Sequence, residues 1–293
     1  MRRAQIEIAK PCIITFFESQ KQKVYTLDQL DSLLAKQREE WKLGKSMTVH
    51  KFTAFLVKET KLSEQPLPFP YRKTIRYFWG APPLYELAMS LRPTGYLSHY
   101  SALHYHRLVP EKPITTVYVN DEQEAKGGKR GTLTQARIDA AFKRPVRTSR
   151  NCVQYGGITL CLLNGMNTDM LGVVKEYLPD LSMPLLVTSI ERSLIDSVVR
   201  PVYAGGVATV LNAYKHAVGN VSIQNMVKML KQLKYVYPYH QAIGFYLDYC
   251  GGYDDTVIGL FRKFPMKYDF YLDYQMEKTN YTKTWRLYYP SYL

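Results

Sequence analysis

The sequence predicts an α+β chain, and three observations carry that expectation. The first third places two amphipathic helices ahead of a strand rich in aromatic and β-branched residues, and from residue 114 onward strand-like and helix-like segments are mixed. In addition, 46% of the 293 residues are hydrophobic and 22% are charged, enough apolar material for substantial cores. The length suggests two domains more readily than one, placed here at residues 1–93 and 94–293.

The N-terminal stretch MRRAQIEIAKPCIITFFESQ is basic, and its apolar run is interrupted by Pro11 and Glu18. The sequence holds no run of eighteen or more apolar residues, so neither a membrane span nor a secretion signal is expected. Cys12, Cys152, Cys161 and Cys250 form no CxxC pair. They suggest neither a disulfide framework nor a cysteine zinc site, which favours a reducing cytoplasm.

The first helix is expected within VYTLDQLDSLLAKQREEW (24–41). Thr26 with Gln29 three residues on is a capping-box arrangement, and Leu27, Leu30, Leu33 and Leu34 share a stripe. After a turn at Gly44, TVHKFTAFLVKETKL (48–62) predicts a second helix capped by Thr48, with Val49, Phe52 and Leu56 inward. The opposite face carries His50, Lys51, Ala54 and Lys58. The proline-punctuated SEQPLPFP leads to YRKTIRYFW (71–79), read as a strand of a hairpin. Helix, turn, helix and basic hairpin is the order of a winged helix-turn-helix.

Charge points the same way. The chain carries a formal net charge of +14, and within residues 42–78 the basic Lys42, Lys45, Lys51, Lys58, Lys61, Arg72, Lys73 and Arg76 face only Glu59 and Glu64. Such a patch suits a phosphate backbone. The DNA-contact set is therefore expected to be His50, Lys51, Ala54, Lys58, Lys61, Arg72, Lys73 and Arg76, with His50 and Ala54 nearest the bases. The exposed helix face bears no Arg, Asn or Gln, so bidentate base reading there is not expected.

PPLYELAMSL (82–91) predicts a helix entered through prolines, and Ser98 a cap for another over about residues 99–107. Within GYLSHYSALHYHRL (95–108), His104 and His106 point in nearly opposite directions on a helix. His99 and His106 lie two turns apart, about 10.5 Å, too far for one ion. The three are expected to be packing histidines, and no metal is expected. ITTVYV (114–119) and GITLCLL (157–163) predict strands and TQARIDAAFK (134–143) a helix, around a Gly- and charge-rich loop EAKGGKRG (124–131).

Thr188 with Glu191 suggests a second capping box, opening a helix with Ile190, Leu194, Ile195 and Val198 inward that stops at Pro201. Arg192 and Asp196, four apart, suit a helix ion pair. Gly205 and Gly206 fit no nucleotide-cradle pattern, so no cofactor is expected. Ser222 caps a further helix, another lies near residues 238–250, and residues 266–293 alternate like strands. Asp269, Asp273, Glu277 and Lys278 there raise a second reading, a metal-dependent nuclease brought to DNA by its winged helix. Glu277 and Lys278 are adjacent and fall on opposite strand faces, which weighs against it.

Two segments carry a family resemblance. GYLSHYSALHYHRL followed by KPITTVYVN resembles the "YLS..SAL..HGL" segment that follows the winged helix in AbiEi-type antitoxins of type IV toxin–antitoxin and abortive-infection pairs. PLLVTSIERSLIDSVVRPVYAGGVATVL (184–211) is similar to the same family's strand, "ER(T/S)LID" and "RP...GG" segment. Order and spacing agree over roughly residues 10–250, while Arg107 stands where many relatives have glycine. The resemblance implies a non-enzymatic autorepressor that binds its own operon promoter, duplex DNA with inverted repeats, and a mixed α/β antitoxin domain in its C-terminal half. It also implies that this domain opposes a nucleotidyltransferase-like toxin, whether or not the two form a stable complex.

Overall fold

The computed structural model describes residues 4–124 and 132–293, and its architecture is α+β. It opens with helix α1 (Gln5–Ser19), strand β1 (Val24–Tyr25), helices α2 (Leu27–Gln37) and α3 (Val49–Glu59), and the hairpin β2 (Leu62–Phe69) and β3 (Arg72–Trp79). The three strands form one antiparallel sheet in the order β1-β3-β2. The Thr26–Gln29 capping box is present: Thr26 Oγ1 accepts from the Gln29 backbone, and the Gln29 side chain accepts from the Thr26 N–H. Thr48 caps α3 by accepting from Lys51 N. Arg38 fixes the α2–α3 turn by donating to Gly44 O (2.6 Å) and Met47 O (3.0 Å).

Two elements here depart from sequence expectation. Helix α1 runs through Pro11, burying Ile6, Ala9, Ile13 and Phe17. Phe17 stacks on Trp79 at 4.7 Å, so tertiary packing offsets the hydrogen bond that the proline removes. The SEQPLPFP segment is itself strand β2, with Pro66 opposite Ile75 and Pro68 opposite Lys73. It sits at the sheet edge, the one place where a strand tolerates residues that cannot donate to a ladder.

Helix α4 (Leu84–Ser90), strand β4 (Tyr96–Leu97), helix α5 (His99–Tyr105), strand β5 (Thr116–Gln123) and helix α6 (Gln135–Phe142) follow. Then come strands β6 (Cys152–Tyr155), β7 (Ile158–Met166), β8 (Val173–Glu176) and β9 (Leu185–Thr188). Strands β4 to β9 make a mixed six-stranded sheet in the order β6-β7-β5-β4-β9-β8. EAKGGKRG lies, from Ala125 on, outside the described residues.

Register overturns one expectation about cysteine. Cys152 and Cys161 are directly opposed on antiparallel β6 and β7, with Cα atoms 4.1 Å apart, and are joined by a disulfide. A hairpin register, not a spacing motif, brings them together. Cys12 and Cys250 are free.

The last third is helical: α7 (Ile190–Val199), a short 3-10 turn at Pro201–Ala204, α8 (Val207–His216), α9 (Ile223–Leu233), α10 (Tyr239–Cys250) and α11 (Asp255–Arg262). A small sheet of β10 (Phe270–Tyr271), β11 (Thr279–Thr282) and β12 (Leu287–Pro290) closes the chain. The cap of α7 is Ser189, which accepts from Arg192 N, while Thr188 belongs to β9 and bonds Ser193 Oγ at 2.8 Å. Glu191 instead reaches Ser189 Oγ and accepts from Ser222 N, tying α7 to the start of α9.

Three cores are formed. One fills the space between α1, α2, α3 and the first sheet, and a large one packs α7 to α11 around Trp285. The third joins Leu67, Phe69 and Phe78 of the hairpin to Leu87 and Leu91 beyond it and to Val117, Leu160 and Val187 of the six-stranded sheet. Among the described residues, no helix is long and apolar enough to cross a membrane.

Candidate nucleic-acid interface

Helix α3 is amphipathic by its sequence, and packing decides which side is free. Phe52, Thr53 and Leu56 are buried, leaving His50, Lys51, Ala54, Val57 and Lys58 exposed. The hairpin tip presents Tyr71, 74% exposed, followed by exposed Arg72 and Lys73. The expected contact residues His50, Lys51, Ala54, Lys58, Arg72 and Lys73 are thus all exposed, Lys58 lying 3.9 Å from Glu59. Lys61 is exposed but engaged, 2.7 Å from Glu18 of α1. The two local acids are placed differently: Glu59 pairs with Lys10 at 3.0 Å, and Glu64 is exposed on β2.

Arg76 is a correction. Its guanidinium is buried, with Nε donating to Ser90 Oγ (3.0 Å), Nη2 to Ser90 O (2.6 Å) and Nη1 to Ile75 O (2.8 Å). It anchors α4 to the hairpin and does not join the exposed basic face. Strand alternation carried the signal, since Arg72, Thr74 and Arg76 share one side and Thr74 is buried as well.

The three histidines each hydrogen-bond a different partner. His106 Nε2 lies 2.6 Å from Thr188 O, His104 Nε2 lies 3.0 Å from Lys112 O, and His99 Nδ1 lies 2.8 Å from Ser98 Oγ. Ser98 stands at the cap position of α5 but spends its hydroxyl on that ring. His99 also holds a left-handed backbone, φ 51°, unusual for a residue with a side chain.

His99 opens onto a polar cavity of about 440 Å³ between β7, the α7 C-terminus and the 3-10 turn. Its wall includes Asn120, Ser149, Asn164, Thr168, Arg192, Asp196, Arg200, Tyr203 and Tyr235. Arg192 and Asp196, both buried, form the expected i, i+4 ion pair at 2.8 Å, and Arg192 also donates to Thr168 Oγ1 and Leu171 O. Behind them burial pushes the Glu122 carboxyl up, but bonds from Thr168, Met170 and Tyr96 outweigh it and hold that carboxyl below the usual range. Burial, joined by the Arg192 and Arg200 charges and opposed by Asp196, drives His99 the other way, down to about 4, so its ring is neutral at pH 7. Asp169 and Met170, just beyond the wall, are two further residues at positive φ.

A second signal near this cavity lay unread in the sequence. Residues 143–150, KRPVRTSR, contain Lys143, Arg144, Arg147 and Arg150 with no acidic residue, and Ser149 lines the cavity. All four cations are exposed.

Of the residues of the nuclease reading, Asp269 is held in an ion pair with Arg286, while Asp273, Glu277 and Lys278 share one surface pocket. Asp269 accepts from Arg286 Nε (2.9 Å) and Tyr281 OH (2.8 Å), and the half-buried Asp273 accepts from Tyr274 N, with partial desolvation pushing its carboxyl up. Among the described residues, no cluster of three or more His, Cys, Asp or Glu side chains is placed to hold a metal ion.

No family model matches the chain, and no curated protein does. Its fold is similar to that of the Rv2827c protein from Mycobacterium tuberculosis, a crystal structure, with a TM-score of 0.61 over 96% of this chain and 91% of that one. The identity is 12%, so the likeness is one of fold.

Proposed function

We propose that this protein is a DNA-binding transcriptional autorepressor and the antitoxin of a type IV toxin–antitoxin pair. In this reading α3 enters the major groove of the operon's own promoter and the β2–β3 hairpin is a wing along the backbone. The observation that supports it best is the exposed face of α3, carrying His50, Lys51, Ala54 and Lys58, together with Arg72 and Lys73 at the hairpin tip. Phosphate contacts from Lys51, Lys58, Arg72 and Lys73 would supply affinity and salt dependence, while the small Ala54 permits close approach to the groove and the His50 imidazole could hydrogen-bond a base edge. The antitoxin role rests on the two sequence segments similar to AbiEi-type proteins, with the part after the hairpin neutralising a nucleotidyltransferase-like toxin.

The test is a titration of the full chain against DNA from upstream of its own gene and a shuffled control, at several salt concentrations. Tighter binding to the upstream DNA with a steep salt slope is expected. Replacing Arg72 and Lys73 by alanine should weaken binding to every sequence and shallow the slope by about one unit per lost contact. Equal, weak binding to both DNAs would overturn the repressor reading, and failure to rescue cells expressing the adjacent toxin gene would overturn the antitoxin reading.

A further inference from the structure

The cavity beside His99 shares no lining residue with the α3 face and hairpin tip assigned above to DNA, and its wall mixes charged, polar, aromatic and aliphatic side chains. We propose that it binds a nucleoside phosphate. A cavity of about 440 Å³ lies within the range of small-ligand sites. Its charge is resolved in favour of an anion. The acid on its wall and the one directly behind it are already satisfied, Asp196 by Arg192 and Glu122 by Thr168, Met170 and Tyr96, while the exposed Asp169 lies outside the wall. Arg200, on the wall at the C-terminal end of α7, forms none of the ion pairs among the described residues. The acid-free segment 143–150 runs up to the wall at Ser149 and continues into Arg150. An unpartnered guanidinium on the wall, backed by a basic approach, favours a ligand with phosphate charge.

The remaining wall suits a base. Tyr203, held against His99 at 5.3 Å and Tyr118 at 5.2 Å, and Tyr235, held against Tyr239 at 5.2 Å, bring two aromatic rings beside which a heterocycle can pack. Asn164 and the neutral His99 bring groups that can donate or accept according to orientation or tautomer, which suits the edge of a base. His99 on this wall holds left-handed backbone, the kind of local cost that accumulates at ligand sites. Such a ligand has two sources, a free nucleotide or the phosphorylated end of a nucleic-acid strand.

The experiment is equilibrium dialysis of the full chain against the four nucleoside 5′-monophosphates, adenosine, and inorganic phosphate. A short single-stranded oligonucleotide with and without a 5′-phosphate is included. At least one monophosphate should bind tenfold or more tighter than adenosine or phosphate alone, and stronger binding of the phosphorylated oligonucleotide would assign the strand end as the source. Arg200→Ala should weaken that binding roughly 10- to 100-fold, the weight of one charge-assisted hydrogen bond. Affinity for the upstream duplex should stay unchanged, which separates this site from the operator reading. Exposed Arg150→Ala should weaken nucleotide binding by a smaller factor and serves as the second variant if Arg200→Ala folds poorly. No binding tighter than about 1 mM by any of these probes, or binding indifferent to both arginines, would overturn the proposal.

Discussion

Burial of His99 makes a quantitative prediction about acid. The ring is 8% exposed, and desolvation holds it at about 4, against an ordinary value near 6.5 in the unfolded chain. Between those values the unfolded state binds the proton more readily than the folded one, so stability falls as pH falls. The contribution is intact above pH 6.5, begins to be lost there, and is fully lost below pH 4. From the two values the loss is about 2 kcal/mol at pH 5 and about 3 kcal/mol at pH 4. Urea unfolding of the wild type and of His99→Asn, at pH 7.5 and pH 5, isolates this contribution, because asparagine tolerates the left-handed backbone and does not titrate. The variant should lose about 2 kcal/mol less than the wild type over that interval. Buried carboxyls that titrate in the same range are common to both proteins and cancel in the difference. Equal pH dependence of the two would refute the reasoning, for it would mean that His99 is hydrated in the fold or already shielded in the unfolded chain.

Three further outcomes are expected. Arg107 is exposed at φ 57°, immediately after the α5 cap, so Arg107→Gly should relieve about 1 kcal/mol of backbone strain and raise the melting temperature by roughly 2–4 °C; no rise would show the strain to be absent. Gly244 of α10 lies flush against Trp285, and a methyl added there would overlap the indole. Gly244→Ala should therefore destabilise by about 1–3 kcal/mol in thermal melts, and a neutral result would place Trp285 elsewhere. Arg76→Ala removes buried bonds to Ser90 and should lower stability by roughly 2 kcal/mol, with the salt slope of DNA binding unchanged. A shallower slope with intact stability would return Arg76 to the interface.

Local signals proved readable and long-range ones did not. The Thr26–Gln29 box, the Thr48 and Ser222 caps and the apolar stripe of α7 depend on residues within one turn of each other, so spacing alone exposes them. Helix α1 was masked by Pro11, and β2 by Pro66 and Pro68, because each proline is tolerated only through tertiary placement. The Cys152–Cys161 bridge depends on which residues face each other across a hairpin, and no cysteine spacing encodes that. The candidate interface was legible in its helical half, where period and charge coincide. It was overstated at Arg76, where summing charge along a strand ignored the alternation of its faces. The cavity drew nothing from sequence because its wall is assembled from α5, β5, β7, α7 and the segments before β6 and after α7 and α9, with His99 and Tyr235 136 residues apart.

The shared core beneath the hairpin bears on how the molecule can be dissected. Leu67, Phe69 and Phe78 meet Leu87, Leu91 and the six-stranded sheet in one apolar interior, and Glu86 of α4 accepts the backbone N–H groups of both Lys23 and Val24. A cut at residue 93 would leave these leucine and phenylalanine side chains facing water and would strip the sheet of its cover. The first third is therefore not a detachable module: a truncation meant to isolate it would yield an aggregation-prone fragment. In an intact chain, α3 is carried on the same packed frame as the sheet behind it.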